Sequence, residues 1–144
     1  MATNQPENAQ RITIYLYYED VAGALDWLSR AFGFHEQNRM SGPDGSVAHA
    51  GMTLGDAVIM MGDPGPDYQN PKRLGHVTQS LYVIVDDVDK HYEQAKQAGA
   101  KIIEEPKDQF YGDRRYGAED IEGHHWYFAQ HLSGGAPEEM KQTA

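Results

Sequence analysis

The 144-residue chain contains no cysteine. That removes disulfide scaffolds, thiolate zinc sites, iron–sulfur clusters and thiol nucleophiles together. No apolar run approaches the roughly 20 residues that a membrane-spanning helix requires, so no membrane partner is expected. The opening MATNQPENAQ has neither the basic nor the apolar region of a signal peptide, and a cytoplasmic location is expected. Basic charge is scarce: 12 Lys+Arg stand against 22 Asp+Glu, a net −10 with histidine neutral. No basic cluster exceeds Lys72-Arg73 or Arg114-Arg115, which argues against a nucleic-acid partner. The acidity has two readings, solubility and a preference for cationic ligands. Nucleophile-elbow, P-loop and dinucleotide fingerprints are missing as well.

What is present is a weak internal repeat. Residues 1–10 and 132–144 are polar, without periodicity, and read as flexible tails. Between them lie two stretches separated by a Pro/Gly-rich segment, DPGPDYQNPKR at 63–73. Offset by 67 residues, Tyr15 falls on Tyr82, Asp20 on Asp87, Val21 on Val88 and Ala31 on Ala98. Each half begins with an apolar run suited to a buried strand, followed by an Asp able to cap a helix and then a helical period. Val21, Ala24, Leu25, Leu28 and Phe32 share one face of the first helix, which Gly33 ends. Val88, His91, Tyr92 and Ala95 share one face of the second, which Gly99 closes. Trp27 falls on the polar edge of the first stripe and is expected at the rim or at a subunit contact. Extended stretches follow at about 33–40, 46–54 and 57–61, and again at about 101–105, 114–119 and 124–130. The fold class expected is α+β, two βαβββ modules: module one at about 11–62, a linker at 63–77 and module two at about 78–131.

This pattern resembles the vicinal oxygen chelate superfamily, which includes glyoxalase I, extradiol dioxygenases, fosfomycin-resistance enzymes and bleomycin-binding proteins. The residues that carry the resemblance are Tyr18-Glu19-Asp20-Val21, Ala24-Leu25-Asp26-Trp27, Phe32-Gly33-Phe34, Gly55-Asp56-Ala57-Val58-Ile59 and Tyr111-Gly112-Asp113-Arg114. The segment Glu119-Asp120-Ile121-Glu122-Gly123-His124-His125-Trp126 is similar to the ending of the PhnB-like glyoxalase group, with Ile121 in place of the usual proline. The resemblance implies that the two modules form a half-open, barrel-like sheet around a cavity, and that the protein is a homodimer.

Metal-dependent relatives place ligands on the first and last strand of each module. Those positions fall on Thr13, Met60, Ser80 and Tyr127, and none offers an imidazole or carboxylate. No metal and no cofactor are therefore expected. Of the seven histidines, His49 and His125 lie on strands and are the pair able to meet inside a cavity. Strand alternation puts Tyr15 and Tyr17 with Thr13, Tyr82 and Ile84 with Ser80, Val58 with Met60, and His125 and Ala129 with Tyr127. The opposite faces, with Ile14, Leu16, Tyr18, Leu81, Val83, Val85, Trp126 and Phe128, are expected to pack on the helices. Arg114 is a candidate fork for a carboxylate or phosphonate, and Arg115 is expected in a structural ion pair.

The candidate ligand-binding set is thus Thr13, Tyr15, Tyr17, Met60, Ser80, Tyr82, Arg114, His125 and Tyr127. Aromatic walls with few polar groups suit a planar or cationic organic ligand. The leading expectation is a metal-free small-molecule binding protein that sequesters such a compound, for example an antibiotic. The alternative is a glyoxalase-type lyase or isomerase using His125 and Tyr127 as acid and base, or a divergent metal site. A third reading is an interaction module whose pocket is filled by its own side chains.

Overall fold

A computed structural model describes residues 10–132. The tails expected at either end lie outside the described residues, except Gln10 and Leu132. Gln10 is tied down: its side-chain amide donates to the Val58 carbonyl and accepts from the Val58 N–H, at 3.0 and 2.7 Å.

The order of elements is β1 (Ile14–Tyr17), α1 (Val21–Phe32), β2 (His35–Ser41), β3 (Val47–Leu54), β4 (Ala57–Gly62), α2 (Pro71–Leu74), β5 (Ser80–Ile84), α3 (Val88–Gln97), β6 (Lys101–Asp108), β7 (Asp113–Glu119) and β8 (His125–His131). Two four-stranded sheets result, β1-β4-β3-β2 and β5-β8-β7-β6, and they do not close into a barrel. In each, the first strand runs parallel to the last and the remaining pairs are antiparallel. The repeat holds at the level of register. Tyr15 pairs with Met60 in one sheet, and Tyr82 with Tyr127 in the other. Gly51 stands opposite Met60, and Gly117 opposite Tyr127.

Three of the four caps are those expected from the sequence; α3 ends at Ala98, one residue before the expected Gly99, which follows at φ 92°. The Asp20 carboxylate accepts from the Gly23 N–H at the start of α1, and Gly33 ends that helix at φ 78°. Asp87 accepts from the Lys90 N–H at the start of α3. Val21, Ala24, Leu25, Leu28 and Phe32 are all buried, as are Val88, Tyr92 and Ala95. The Phe32 ring, at the end of α1, lies 5.5 Å from Trp126 and 4.7 Å from Phe128 on β8, so both modules share one core. Among the described residues no helix is long and apolar enough to cross a membrane.

Three local expectations are corrected. Trp27 is not a rim residue; it is 7% exposed, edge-on to Phe32 at 4.9 Å, and belongs to the same core cluster as the apolar stripe of α1. Ile14 was expected on the helices but is 43% exposed, because β1 is an edge strand beside the groove between the modules. The sixth strand continues past Glu105 through Pro106. It is an edge strand with a register shift between Glu104 and Lys107, where a proline costs no ladder bond.

Candidate functional site

Alternation assigns each strand residue to one of two faces. Leu16, Ala50, Met52, Ile59 and Met61 of the first sheet, and Leu81, Tyr116, Ala118, Trp126 and Phe128 of the second, are buried toward the helices. The other faces therefore look outward. Tyr15, Tyr17 and Tyr82 are 47%, 51% and 46% exposed, unusual values for aromatic strand residues.

The first face is an uncharged aromatic row. The Tyr15 hydroxyl lies 2.9 Å from His49 Nδ1, with the two rings 5.6 Å apart. Tyr15 meets Tyr17 edge-on at 6.0 Å, and Tyr17 meets Tyr68 edge-on at 5.7 Å. The Tyr68 hydroxyl donates to the Tyr17 carbonyl at 3.1 Å. Burial, with Glu122, Glu19 and Asp120 nearby, pushes the Tyr68 phenol up to about 12, so it stays a donor. Tyr15 lies across Gly62, where a Cβ would collide with its hydroxyl.

The second face carries charge, largely neutralised in pairs. The Arg115 fork binds Glu104 at 2.8 and 3.3 Å and donates to the Tyr111 hydroxyl at 3.1 Å. Its guanidinium sits 5.0 Å above the Tyr127 ring, and that ring lies over Gly117. The bond to Glu104 raises the Arg115 pKa. The Tyr82 hydroxyl donates to buried Asp113 at 2.6 Å and lies 3.2 Å from Tyr111. Burial first, and then the Asp113 and Tyr111 contacts, push the Tyr82 phenol well above its usual range. His125 Nε2 lies 3.1 Å from Glu119.

Arg114 is a correction. It shares the parity of buried Tyr116 and so points away from the open face, where Asp89 and Asp108 bind it at 3.0 Å each. Arg115 is on the open face instead. The sequence already held the signal: if Gly117 opposes Tyr127 as Gly51 opposes Met60, parity puts Arg115 beside Tyr127. Tyr68, Glu104, Tyr111, Asp113 and Glu119 were also missed, because their strands or loops were not aligned to the repeat.

A second correction concerns the cavity. The nine candidates do not line one enclosed space. Tyr15 and Tyr17 border a cavity of about 230 Å³ with Tyr68 and His124. Ser80 and Tyr82 border another of about 430 Å³ with Ile12, Ile14, Ile84 and Trp126. His125 borders a third of about 260 Å³. The cause is the shared core: the first sheet turns its apolar face to α1 and the second to α3, and the two helices pack together, so the remaining faces open to solvent. His49 and His125, expected as a pair able to meet, sit on different sheets with different partners.

The linker expected at 63–77 also differs from a free loop. It contains α2, capped by Asn70, whose side chain accepts from the Arg73 N–H. Glu122 binds the Glu19 and Asp20 N–H groups at 2.7 and 2.9 Å and the Asn70 side chain at 3.1 Å. Glu19 in turn accepts from the Asn70 N–H and from Arg73. The acidic segments around Glu19 and Glu122 thus join the modules and the linker.

The metal of some superfamily members does not fit this donor set. Thr13 and Met60 on one face, and Ser80 and Tyr127 on the other, supply two hydroxyls, a thioether and a phenol, none of them a competitive ligand for a divalent ion. Among the described residues no three His, Asp or Glu groups converge.

Residues 10–128 match the sequence profile of the Glyoxalase/Bleomycin resistance protein/Dioxygenase superfamily. TioX from Micromonospora sp. ML1 is 34% identical, with a TM-score of 0.69 over 84% of this chain and 95% of that one. An uncharacterised protein of Mycobacterium bovis is 33% identical over 121 residues, covering 81% of this chain and 80% of its own length. The PhnB protein from Bacillus cereus, 18% identical, has a TM-score of 0.62 over 84% of this chain and 98% of its own, and shows the same fold. The chain therefore belongs to the Glyoxalase/Bleomycin resistance protein/Dioxygenase superfamily.

Proposed function

We propose that the protein is a metal-independent small-molecule binder that sequesters a planar aromatic, preferentially cationic, compound such as an antibiotic. The observation that carries this reading is the half exposure of Tyr15 and Tyr17 on the open face of the first sheet and of Tyr82 on that of the second. A ring left half in water gains by stacking against a flat ligand, and its π face attracts a cation. The first face offers no cation of its own to compete, and a net −10 draws positively charged compounds toward the whole molecule. Binding would take place in the cytoplasm, in a homodimer whose second copy covers part of these faces.

The test is a thermal-shift screen of untagged protein against planar cationic, planar neutral and aliphatic compounds. Saturable stabilisation by planar compounds, weakened by Tyr17→Ala, is expected. Equal responses to planar and aliphatic compounds, or no response to any, would contradict the reading.

A second reading rests on the contact between His125 and Glu119. A carboxylate that orients an imidazole is the arrangement a general base needs, and Tyr127 is a neighbouring proton donor. This is the lyase or isomerase alternative. Turnover of a glyoxalase-type substrate, lost in a folded His125→Ala variant, would favour it.

A further inference from the structure

We propose that the third cavity, between α2 and one end of the second sheet, is a binding site for a small oxyanion such as phosphate, adjoining the Tyr15 and Tyr17 cavity through Pro71, His76 and Val77. The cavity, of about 260 Å³, is lined among others by Lys72, His76, Lys101, Glu119, Gly123 and His125. Four of these groups carry or can acquire positive charge: Lys72 and His76 from the linker, Lys101 from β6 and His125 from β8. One carboxylate, Glu119 from β7, opposes them. In a chain with 22 acids and 12 bases, that is a local reversal of sign.

The reversal is built into the backbone. Lys101 pairs with Glu119 across β6 and β7, and Glu119 with His125 across β7 and β8, so three strand ends present these groups in one row. Glu119 is already engaged, with His125 at 3.1 Å and Lys101 at 3.7 Å. Lys72 and His76 form no ion pair among the described residues. The opposite wall is fixed to the turn before β8: the Lys72 N–H donates to the Glu122 carbonyl at 3.0 Å. A side chain at Gly123, which has φ 96°, would come within 2.6 Å of the Lys72 nitrogen. The wall thus approaches closely because residue 123 has no side chain, and this holds Lys72 and His76 over the row.

Two lysines against one carboxylate leave the cavity at +1 with both histidines neutral, and at +3 with both protonated. An oxyanion accepts hydrogen bonds from ammonium and imidazolium groups at once, and an apolar ligand would leave them unpaired.

The experiment is a titration of the untagged full chain with inorganic phosphate at constant pH and ionic strength, followed by the imidazole NMR signals. Saturable shifts of His76 and His125 are expected, with His35 and His49 unmoved. Lys72→Gln and Lys101→Gln should each weaken binding by about two- to fivefold, the scale of partly exposed ion pairs. Competition by sulfate alone would assign a tetrahedral oxyanion; competition by acetate as well would extend the class to carboxylates. Non-saturating shifts, shifts shared equally by all four histidines, or affinities unaffected by both substitutions would overturn the proposal.

Discussion

Four donors converge on the Asp120 carboxylate. The Tyr18 hydroxyl binds at 2.6 Å and the Trp126 indole at 3.0 Å, and the Glu122 and His124 N–H groups bind at 3.0 Å each. Tyr18 belongs to the first module and the others to the second, so one buried carboxylate holds the halves together. Burial, with Asp120 adding to it, keeps the Tyr18 phenol protonated as a donor. Asp120→Asn turns an NH₂ toward two of the four donors and leaves at least one of them unsatisfied. The expected loss is about 2–3 kcal/mol in urea unfolding; an unchanged midpoint would contradict this role. The sequence showed these residues as a motif and not as a clasp, because their partners are more than 100 positions away. The reversal of Arg114 and Arg115 has a similar origin: one residue of register decides which face an arginine serves.

At the scale of the element, His91 on α3 joins three pieces of the core. Its Nε2 donates to the Phe32 carbonyl at 2.8 Å, and its Nδ1 lies 2.5 Å from the Tyr116 hydroxyl. Its ring centroid is 4.1 Å from that of Phe128. Burial disfavours the charged imidazole and lowers its pKa below the usual 6.5, partly opposed by the Phe32 bond. The unfolded chain therefore takes up this proton first. The stability that His91 contributes is complete above about pH 6.5 and is lost as pH falls below it. The urea midpoint of the wild type should drop between pH 7.5 and 5.5, and that of His91→Gln, which keeps a donor but cannot titrate, should drop less. Parallel falls would contradict the assignment.

Elements were the most legible level of the sequence. Helix caps, apolar stripes and strand alternation are local rules, and α1, α3 and the inner strands obey them. Trp27, α2 and the strand through Pro106 depend on what packs against them, which local rules do not contain. For the candidate site, the exposed tyrosines were legible through alternation. Their separation into open faces was not, because it follows from how two sheets share one core.

At the scale of the molecule, the chain presents two faces of different character on related halves. The first, with Tyr15, Tyr17, His49 and Met60, carries no formal charge while His49 is neutral. The second balances Arg115 against Glu104 and holds Tyr82 on Asp113. A flat cationic compound is therefore expected to favour the first face, and its attraction to the net −10 should be screened by salt. A neutral planar compound should show little salt dependence.

Tyrosine faces, without a metal, are expected to bind a planar organic molecule. Isothermal titration of the strongest compound from the panel tests it most directly, run on wild type with and without chelator and on Tyr17→Ala. The account predicts saturable binding that chelator leaves unchanged and that Tyr17→Ala weakens by about two- to fivefold, the scale of a partly exposed aromatic contact. Binding that chelator abolishes, or that is indifferent to Tyr17, would contradict it.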